Sequence, residues 1–117
     1  MSYQVFIREN GTLVADKVSV AKNIFDRVKG LLGHSSLGKG EGMFIIPCNS
    51  IHTFFMRFPI DVIFVSRENE ILKLIHNMPP WRITSIYRKA RGVLELAGGV
   101  LSKINAAEGM HIELKKP

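Results

Sequence analysis

Four ionisable side chains interrupt residues 48–65, the most apolar and aromatic stretch of the sequence: Cys48, His52, Arg57 and Asp61. Burying a neutral polar group without a partner costs about 1–3 kcal/mol, and burying a charge costs more. These side chains must therefore satisfy one another or serve a ligand. Glu95 is a further acid inside an apolar stretch, and Arg57 is the natural counter-ion for either acid.

Strand geometry indicates how these groups could meet. Alternate residues of a strand share a face, so a strand over residues 50–55 places His52 on one face, together with Cys48 if the strand extends that far back. A hairpin that closes across residues 57–59 then brings Asp61 close to His52. We therefore expect a concave polar patch that holds a small ligand or a peptide, formed by His52, Arg57, Asp61 and Glu95.

Two other interpretations use the same residues. In a structural one, Asp61 and Glu95 pair with Arg57 or accept hydrogen bonds from backbone amides, as buried charges usually do. In a catalytic one, Cys48 is a nucleophile, His52 is its base and Asp61 orients the imidazole, because Cys/His catalysis needs a thiolate beside an imidazolium. No oxyanion-hole signature accompanies the cysteine. The sequence leaves open whether the protein is an enzyme.

A metal site is the third interpretation. Zinc accepts thiolate, imidazole and carboxylate ligands, which Cys48, His52 and Asp61 could supply. The sequence has no CxxC or HExxH spacing, however, and His34, His76 and His111 are scattered. We therefore expect neither a metal nor a cofactor.

Composition indicates an ordinary soluble domain. The chain has 117 residues, of which 46% are hydrophobic and 22% charged, and we expect a single domain over residues 1–117. No apolar run approaches the roughly 20 residues that a membrane span needs. The single cysteine excludes an intrachain disulfide. With no signal-peptide pattern at the N-terminus, these features favour a cytoplasmic location and leave the oligomeric state open.

The net charge of +6 is unevenly distributed. Residues 71–94 contain no acid but five basic residues, namely Lys73, Arg82, Arg88, Lys89 and Arg91. Such a face could meet nucleic acid, an anionic membrane or an acidic partner. Trp81 and Tyr87 could stack on bases, but no nucleic-acid-binding module accompanies them. We favour a solvated face paired with carboxylates from elsewhere in the chain, with Trp81 closing the end of a barrel.

Short apolar segments separated by turns dominate the chain. Asn10-Gly11 and the polar stretch around Asn69 predict hairpin turns. Strands are predicted over residues 3–7, 12–15, 18–20, 42–46, 50–55, 60–65, 71–76, 83–87, 92–97 and 110–114, and helices over 23–32 and 100–104. The fold class that follows is mainly β, a compact barrel or sandwich of about eight short strands with one or two short helices.

Several motifs occur in a recognisable order. They are Gly30-Leu31-Leu32-Gly33, Gly42-Met43, the block over residues 51–64, Pro80, Val93-Leu94-Glu95-Leu96-Ala97-Gly98-Gly99 and Gly109. Over about residues 17–114 the chain resembles domain-of-unknown-function family 192. The resemblance implies a compact, mainly β domain, and many relatives resemble secreted or membrane-tethered proteins. It implies no activity, substrate or catalytic residue.

Overall fold

The structure, a computed structural model, describes residues 2–22 and 37–117. Within them the chain forms seven strands and one 3-10 helix, Leu101–Lys103, between β6 and β7. The strands are β1 (Tyr3–Ile7), β2 (Leu13–Ala21), β3 (Glu41–Ile45), β4 (Ile60–Val65), β5 (Ile71–Met78), β6 (Gly92–Ala97) and β7 (Ile112–Lys115). The helix predicted over residues 23–32 lies outside the described residues. No helix in the described part is long and apolar enough to cross a membrane.

All seven strands belong to one sheet, in the order β5-β4-β6-β3-β2-β1-β7. Neighbouring strands are antiparallel, except that β2 runs parallel to β3. A parallel pair cannot be joined by a tight hairpin and needs a long crossover connection, here residues 22–40. The mainly β fold is therefore confirmed.

The sheet is not closed into a barrel, which corrects the expected barrel or sandwich. Its edge strands β5 and β7 meet at one corner only, through an isolated bridge between Glu70 and His111. Beside this bridge, the backbone N–H of Ile71 donates to Met110 and that of Ile112 donates to Asn69. Among the described residues no ladder joins β5 to β7.

Two predicted strands are wrong. Residues 50–55 and 83–87 contain only one isolated bridge, between His52 and Ile83. β4 consequently has no hairpin partner before it in the sequence and pairs instead with β5 and β6. The segments 48–59 and 79–91 run over one face of the sheet as an interlocked pair of loops, which we call the loop pair.

The core occupies both faces of the sheet because the central strands β4 and β6 are buried on both sides. On one face lies the first core, which includes Val18, Ile63, Leu94, Leu96 and Leu101. On the other face lies the second core, which includes Met43, Met56, Phe58, Val62 and Val93. Strands buried on both faces consist of continuous apolar runs rather than alternating ones, which explains why every residue of β4 except Asp61 is apolar.

The turn predicted at Asn10-Gly11 is confirmed. Gly11 has a φ of +70°, a left-handed conformation that glycine adopts without steric cost. Its N–H donates to the carbonyl of Ile7, and the Asn10 side chain accepts a hydrogen bond from Thr12. Residues 66–70 form the second predicted turn, with Asn69 at a φ of +64°.

An acid-histidine pair strengthens the corner where the sheet edges meet. Glu9 accepts hydrogen bonds from the backbone N–H of His111 (2.8 Å) and from its Nδ1 (2.6 Å). The backbone hydrogen bond, and next the ring, lower the pKa of Glu9 below its ordinary value. A lowered carboxyl pKa stabilises the fold fully above the ordinary pKa, and this contribution disappears as the pH falls through the lowered one.

Glu9→Gln should therefore lower the urea midpoint at pH 7, and the difference from the unmodified chain should shrink between about pH 5 and pH 2, where Glu9 itself becomes neutral. Urea titrations followed by circular dichroism at several pH values measure this. Glu113→Gln is the matched control, because Glu113 faces Lys115 at 3.9 Å on an exposed strand end. If Glu9→Gln lowers the urea midpoint by the same amount at every pH, the stabilising role of the ionised Glu9 carboxylate is contradicted.

Candidate functional site

Asp61 is a fully buried carboxylate on β4 with both oxygens occupied. Oδ1 accepts a hydrogen bond from the backbone N–H of Asn77 at 2.8 Å, and Oδ2 accepts one from Leu101 at 2.7 Å. Asn77 lies near the end of β5 with a φ of +48°, and Leu101 begins the 3-10 helix. Asp61 thus supplies acceptors to two backbone N–H groups at points where the chain turns away from its ladder. This carboxylate fastens β5 and the helix to β4.

Glu95 is also fully buried, but on the other face of the sheet. Directly opposed residues of neighbouring strands share a face. Glu95 opposes Val62, which belongs to the second core, whereas Asp61 opposes Leu96, which belongs to the first core. The structure therefore does not bring the two carboxylates together, and a ligand-binding role for either one stays a prediction.

His52, which is half-buried, and Arg57, which is exposed, both lie on the first segment of the loop pair. The His52 ring stacks on Phe54 with centroids 4.8 Å apart, and its Nδ1 accepts a hydrogen bond from the Phe54 backbone at 3.3 Å. Arg57 is exposed and forms no ion pair with a described residue. These two predicted site residues share a surface that Asp61 does not reach.

Thr53 locks the two loops to each other. Its buried hydroxyl donates to the carbonyl of Pro79 at 2.6 Å and accepts from the backbone N–H of Arg82 at 2.9 Å. Its backbone N–H donates to the Arg82 carbonyl, and its own carbonyl accepts from Trp81 and Met56. One threonine thus satisfies backbone groups of both loops, because an isolated bridge leaves many of them without ladder partners.

Three aromatic rings project from this locked pair. Trp81 is 56% exposed, so it does not close the end of a barrel as expected, and Phe55 is 66% exposed. Their ring centroids lie 4.8 Å apart in an edge-on arrangement, and Phe54 lies 6.0 Å from Trp81. Phe55 and Trp81 both have left-handed backbones, with φ of +67° and +63°. This conformation costs a bulky residue about 1–3 kcal/mol and is concentrated at functional sites.

We call one group of outward side chains on the loop pair the loop-tip surface. It comprises His52, Phe54, Phe55, Arg57, Trp81, Arg82, Ile83 and Ile86. Sequence reasoning missed Phe54 and Phe55 because an aromatic run after a β-like pattern predicts core. The available signal was the neighbouring Met56-Arg57-Phe58-Pro59, which already indicated a break in the strand.

A groove of about 620 Å³ lies on the opposite face, beside the 3-10 helix. Its apolar lining includes Val14 and Ala15 of the first core, and Val100 and Ile104 pack against that core. The rim carries three ammonium groups and one carboxylate: Lys17, Lys39, Lys103 and Asp16. None of the three lysines forms an ion pair with a described residue. Sequence reasoning missed the groove because the three lysines are far apart in the chain.

Gly98, in the floor of the groove, lies very close to Asn77 and Pro59. A Cβ atom at position 98 would lie 2.7 Å from Oδ1 of Asn77 and 3.3 Å from the carbonyl oxygen of Pro59. The next residue, Gly99, has a φ of +95°. Both glycines therefore allow the chain to leave β6 and enter the helix that Asp61 holds at Leu101.

The structure does not assemble Cys48, His52 and Asp61 into the catalytic site considered from the sequence. The half-buried thiol of Cys48 donates to the Ser50 carbonyl at 3.1 Å. Both carboxylate oxygens of Asp61 are engaged by backbone N–H groups away from His52. No group of three His, Cys, Asp or Glu residues within 2–22 and 37–117 is placed to hold a metal ion. Cys48, His52 and Asp61 thus form neither the triad nor the metal centre considered from the sequence.

Replacing Asp61 tests the role assigned to its carboxylate. Asp61→Asn places an NH₂ group where one backbone N–H needs an acceptor, so we expect the free energy of unfolding to fall by about 3 kcal/mol. Urea denaturation followed by circular dichroism measures the change. Asp16→Asn, at an exposed position, is the control and should alter stability by less than about 0.5 kcal/mol. Equal stability of the two variants would contradict the structural role.

Comparisons with known proteins agree with this fold. The model of domain-of-unknown-function family 192, described as "Uncharacterized ACR", matches residues 5–114. A UPF0127 protein of Thermococcus sibiricus is 31% identical over 111 residues, covering 91% of this chain and 71% of the relative. A UPF0127 protein of Pyrococcus furiosus is 28% identical over 108 residues, covering 88% and 90%.

A solved structure has the same fold. It is a Novosphingobium aromaticivorans protein of unknown function, with a TM-score of 0.80, 22% identity, and coverage of 94% of this chain and 83% of the other. Identity this low shows the fold alone. The resemblance inferred from the sequence motifs is confirmed.

Proposed function

The chain belongs to domain-of-unknown-function family 192, and we propose that it is a small binding domain whose groove holds a small amphiphilic anion. The observation that carries this proposal is the groove itself. Its volume of about 620 Å³ lies in the range typical of ligand pockets, roughly 300–1,000 Å³.

The lining of the groove defines the ligand class. Aliphatic side chains, among them Val14, Val100 and Ile104, accept an apolar body. The three rim lysines outnumber the single acid, Asp16, so a carboxylate or phosphate is favoured at the rim. A ligand with one apolar portion and one anionic group fits both features.

The four residues predicted from the sequence take different parts in this proposal. Asp61 positions the helix that forms one wall of the groove. His52 and Arg57 belong to the loop-tip surface and are assigned to contact with a protein, peptide or other partner. Glu95 supports the face that the loop pair covers. The expected cytoplasmic location is kept, supported by the lone thiol of Cys48, which a reducing compartment preserves.

Octanoate and octyl phosphate, with octanol as the uncharged control, test the groove. We expect both anions to shift the backbone NMR signals of residues 13–17 and 97–104, and octanol to bind more weakly. Lys17→Met/Lys103→Met should weaken octanoate binding about fivefold, because two favourable rim charges are removed.

Lys73→Met/Lys89→Met removes the same charge away from the groove and should leave octanoate affinity unchanged. NMR shifts confined to residues outside 13–17 and 97–104 would contradict the groove as the site. Equal weakening of octanoate binding by the two double variants would contradict it as well.

A further inference from the structure

The loop-tip surface collects most of the exposed apolar side chains of the molecule. Six large hydrophobic residues are exposed in the described part of the chain, and all but Leu13 lie on the loop pair: Phe54, Phe55, Trp81, Ile83 and Ile86. Single exposed hydrophobic residues are normal, but a contiguous group of them marks an interaction surface. This group lies over the second core, away from the groove, so it is independent of the proposed ligand site.

Hydrogen bonds between the two loops fix the backbone that carries this surface. Thr53 joins the two loops through its hydroxyl and its backbone. A second link forms where the Ile51 N–H donates to the Thr84 hydroxyl at 3.0 Å and the Thr84 N–H donates to the Ile51 carbonyl. The rings at Phe55 and Trp81 are thus presented by a fixed backbone, which lowers the entropy lost when they contact a partner.

Positive charge surrounds the apolar group. Arg57 and Arg82 lie among the aromatic residues, and Arg88, Lys89 and Arg91 follow on the same loop. None of these five side chains forms an ion pair with a described residue. The expected pairing with carboxylates from elsewhere in the chain is therefore not seen in the described residues. A partner of negative charge would supply the missing counter-ions.

The side-chain types distinguish between anionic partners. Nucleic-acid bases require open ring faces on which to stack, but the Trp81 ring already packs against the rings of Phe55 and Phe54. Ile83 and Ile86, 70% and 68% exposed, cannot stack on a base. Aromatic and aliphatic side chains flanked by arginine and lysine are instead typical of protein surfaces that enter the boundary between lipid head groups and acyl chains.

We propose that the loop-tip surface docks onto an anionic lipid bilayer. Phe54, Phe55 and Trp81 enter the interfacial region together with the two isoleucines, and the surrounding arginine and lysine side chains contact the lipid phosphate and carboxylate groups. Because the groove faces the other side of the sheet, it remains open to solvent in the docked protein.

Trp81 is the single tryptophan of the chain and reports directly on docking. The full chain is mixed with vesicles of 30% phosphatidylserine and 70% phosphatidylcholine, or of phosphatidylcholine alone. We expect a blue shift of Trp81 emission, quenching by brominated acyl chains and co-sedimentation with the anionic vesicles only. Absence of all three on anionic vesicles would overturn the proposal.

Two variants separate the apolar and the charged contributions. Phe55→Asn/Ile86→Asn changes exposed side chains and keeps a residue that tolerates the left-handed backbone at position 55. Arg57→Gln/Arg82→Gln/Arg88→Gln removes two charges of the loop-tip surface and a third that follows it on the same loop. Each should weaken partitioning at least about tenfold, with circular dichroism confirming an unchanged fold.

Arg8→Gln/Lys115→Gln/Lys116→Gln is the matched control, because it removes the same charge from exposed positions beside β1 and β7, outside both proposed binding surfaces, and should bind vesicles as the unmodified chain does. If this control loses as much vesicle binding as the arginine triple variant, the proposal of a specific docking surface is overturned. A parallel titration with a single-stranded oligonucleotide should leave Trp81 emission unchanged. If the oligonucleotide instead shifts Trp81 emission in a salt-sensitive way and vesicles do not, the partner of the loop-tip surface is nucleic acid rather than lipid.

Discussion

A buried carboxylate bound by two backbone N–H groups is the constraint on which the structure depends. A charge inside an apolar sheet is tolerated only when hydrogen bonds replace its lost hydration. Asp61 receives those bonds from Asn77 and Leu101, which lie where regular pairing ends. The same bonds fix the end of β5 and the start of the 3-10 helix relative to β4. Asn77 also lies against Gly98, which lines the groove.

A sheet buried on both faces also explains why the two proposed binding surfaces lie apart. The first core is covered partly by the 3-10 helix, and the groove opens beside that helix. The second core is covered partly by the loop pair, whose outward side is the loop-tip surface. Thr53 does for the loops what Asp61 does for the helix, because each buried side chain satisfies backbone groups that the sheet leaves without partners. A small ligand and a lipid surface could thus be bound at once.

The sequence predicted the local structure better than it predicted the spatial arrangement of distant residues. The Asn10-Gly11 hairpin, the strand Ile60–Val65 and the family follow from local patterns, and the structure and comparisons confirm them. The strand over residues 50–55 was wrong because Thr53 bonds to a distant loop that no local pattern reveals. The expectation that Asp61 and Glu95 share one patch depended on the register of the strands. A shift of one residue in that register moves every side chain to the other face of the sheet. Lys17, Lys39 and Lys103 converge only through the topology of the sheet.

Native-state hydrogen exchange of the Leu101 backbone amide tests the central role of Asp61 most directly. The first amide of a short helix ordinarily lacks an intrahelical partner and exchanges quickly. Because Asp61 accepts this hydrogen bond inside the core, the account predicts that Leu101 exchanges as slowly as Ile63 in β4, and at least about a thousandfold more slowly than a freely exposed amide. Exchange of Leu101 as fast as that of the exposed Ser102 would contradict it.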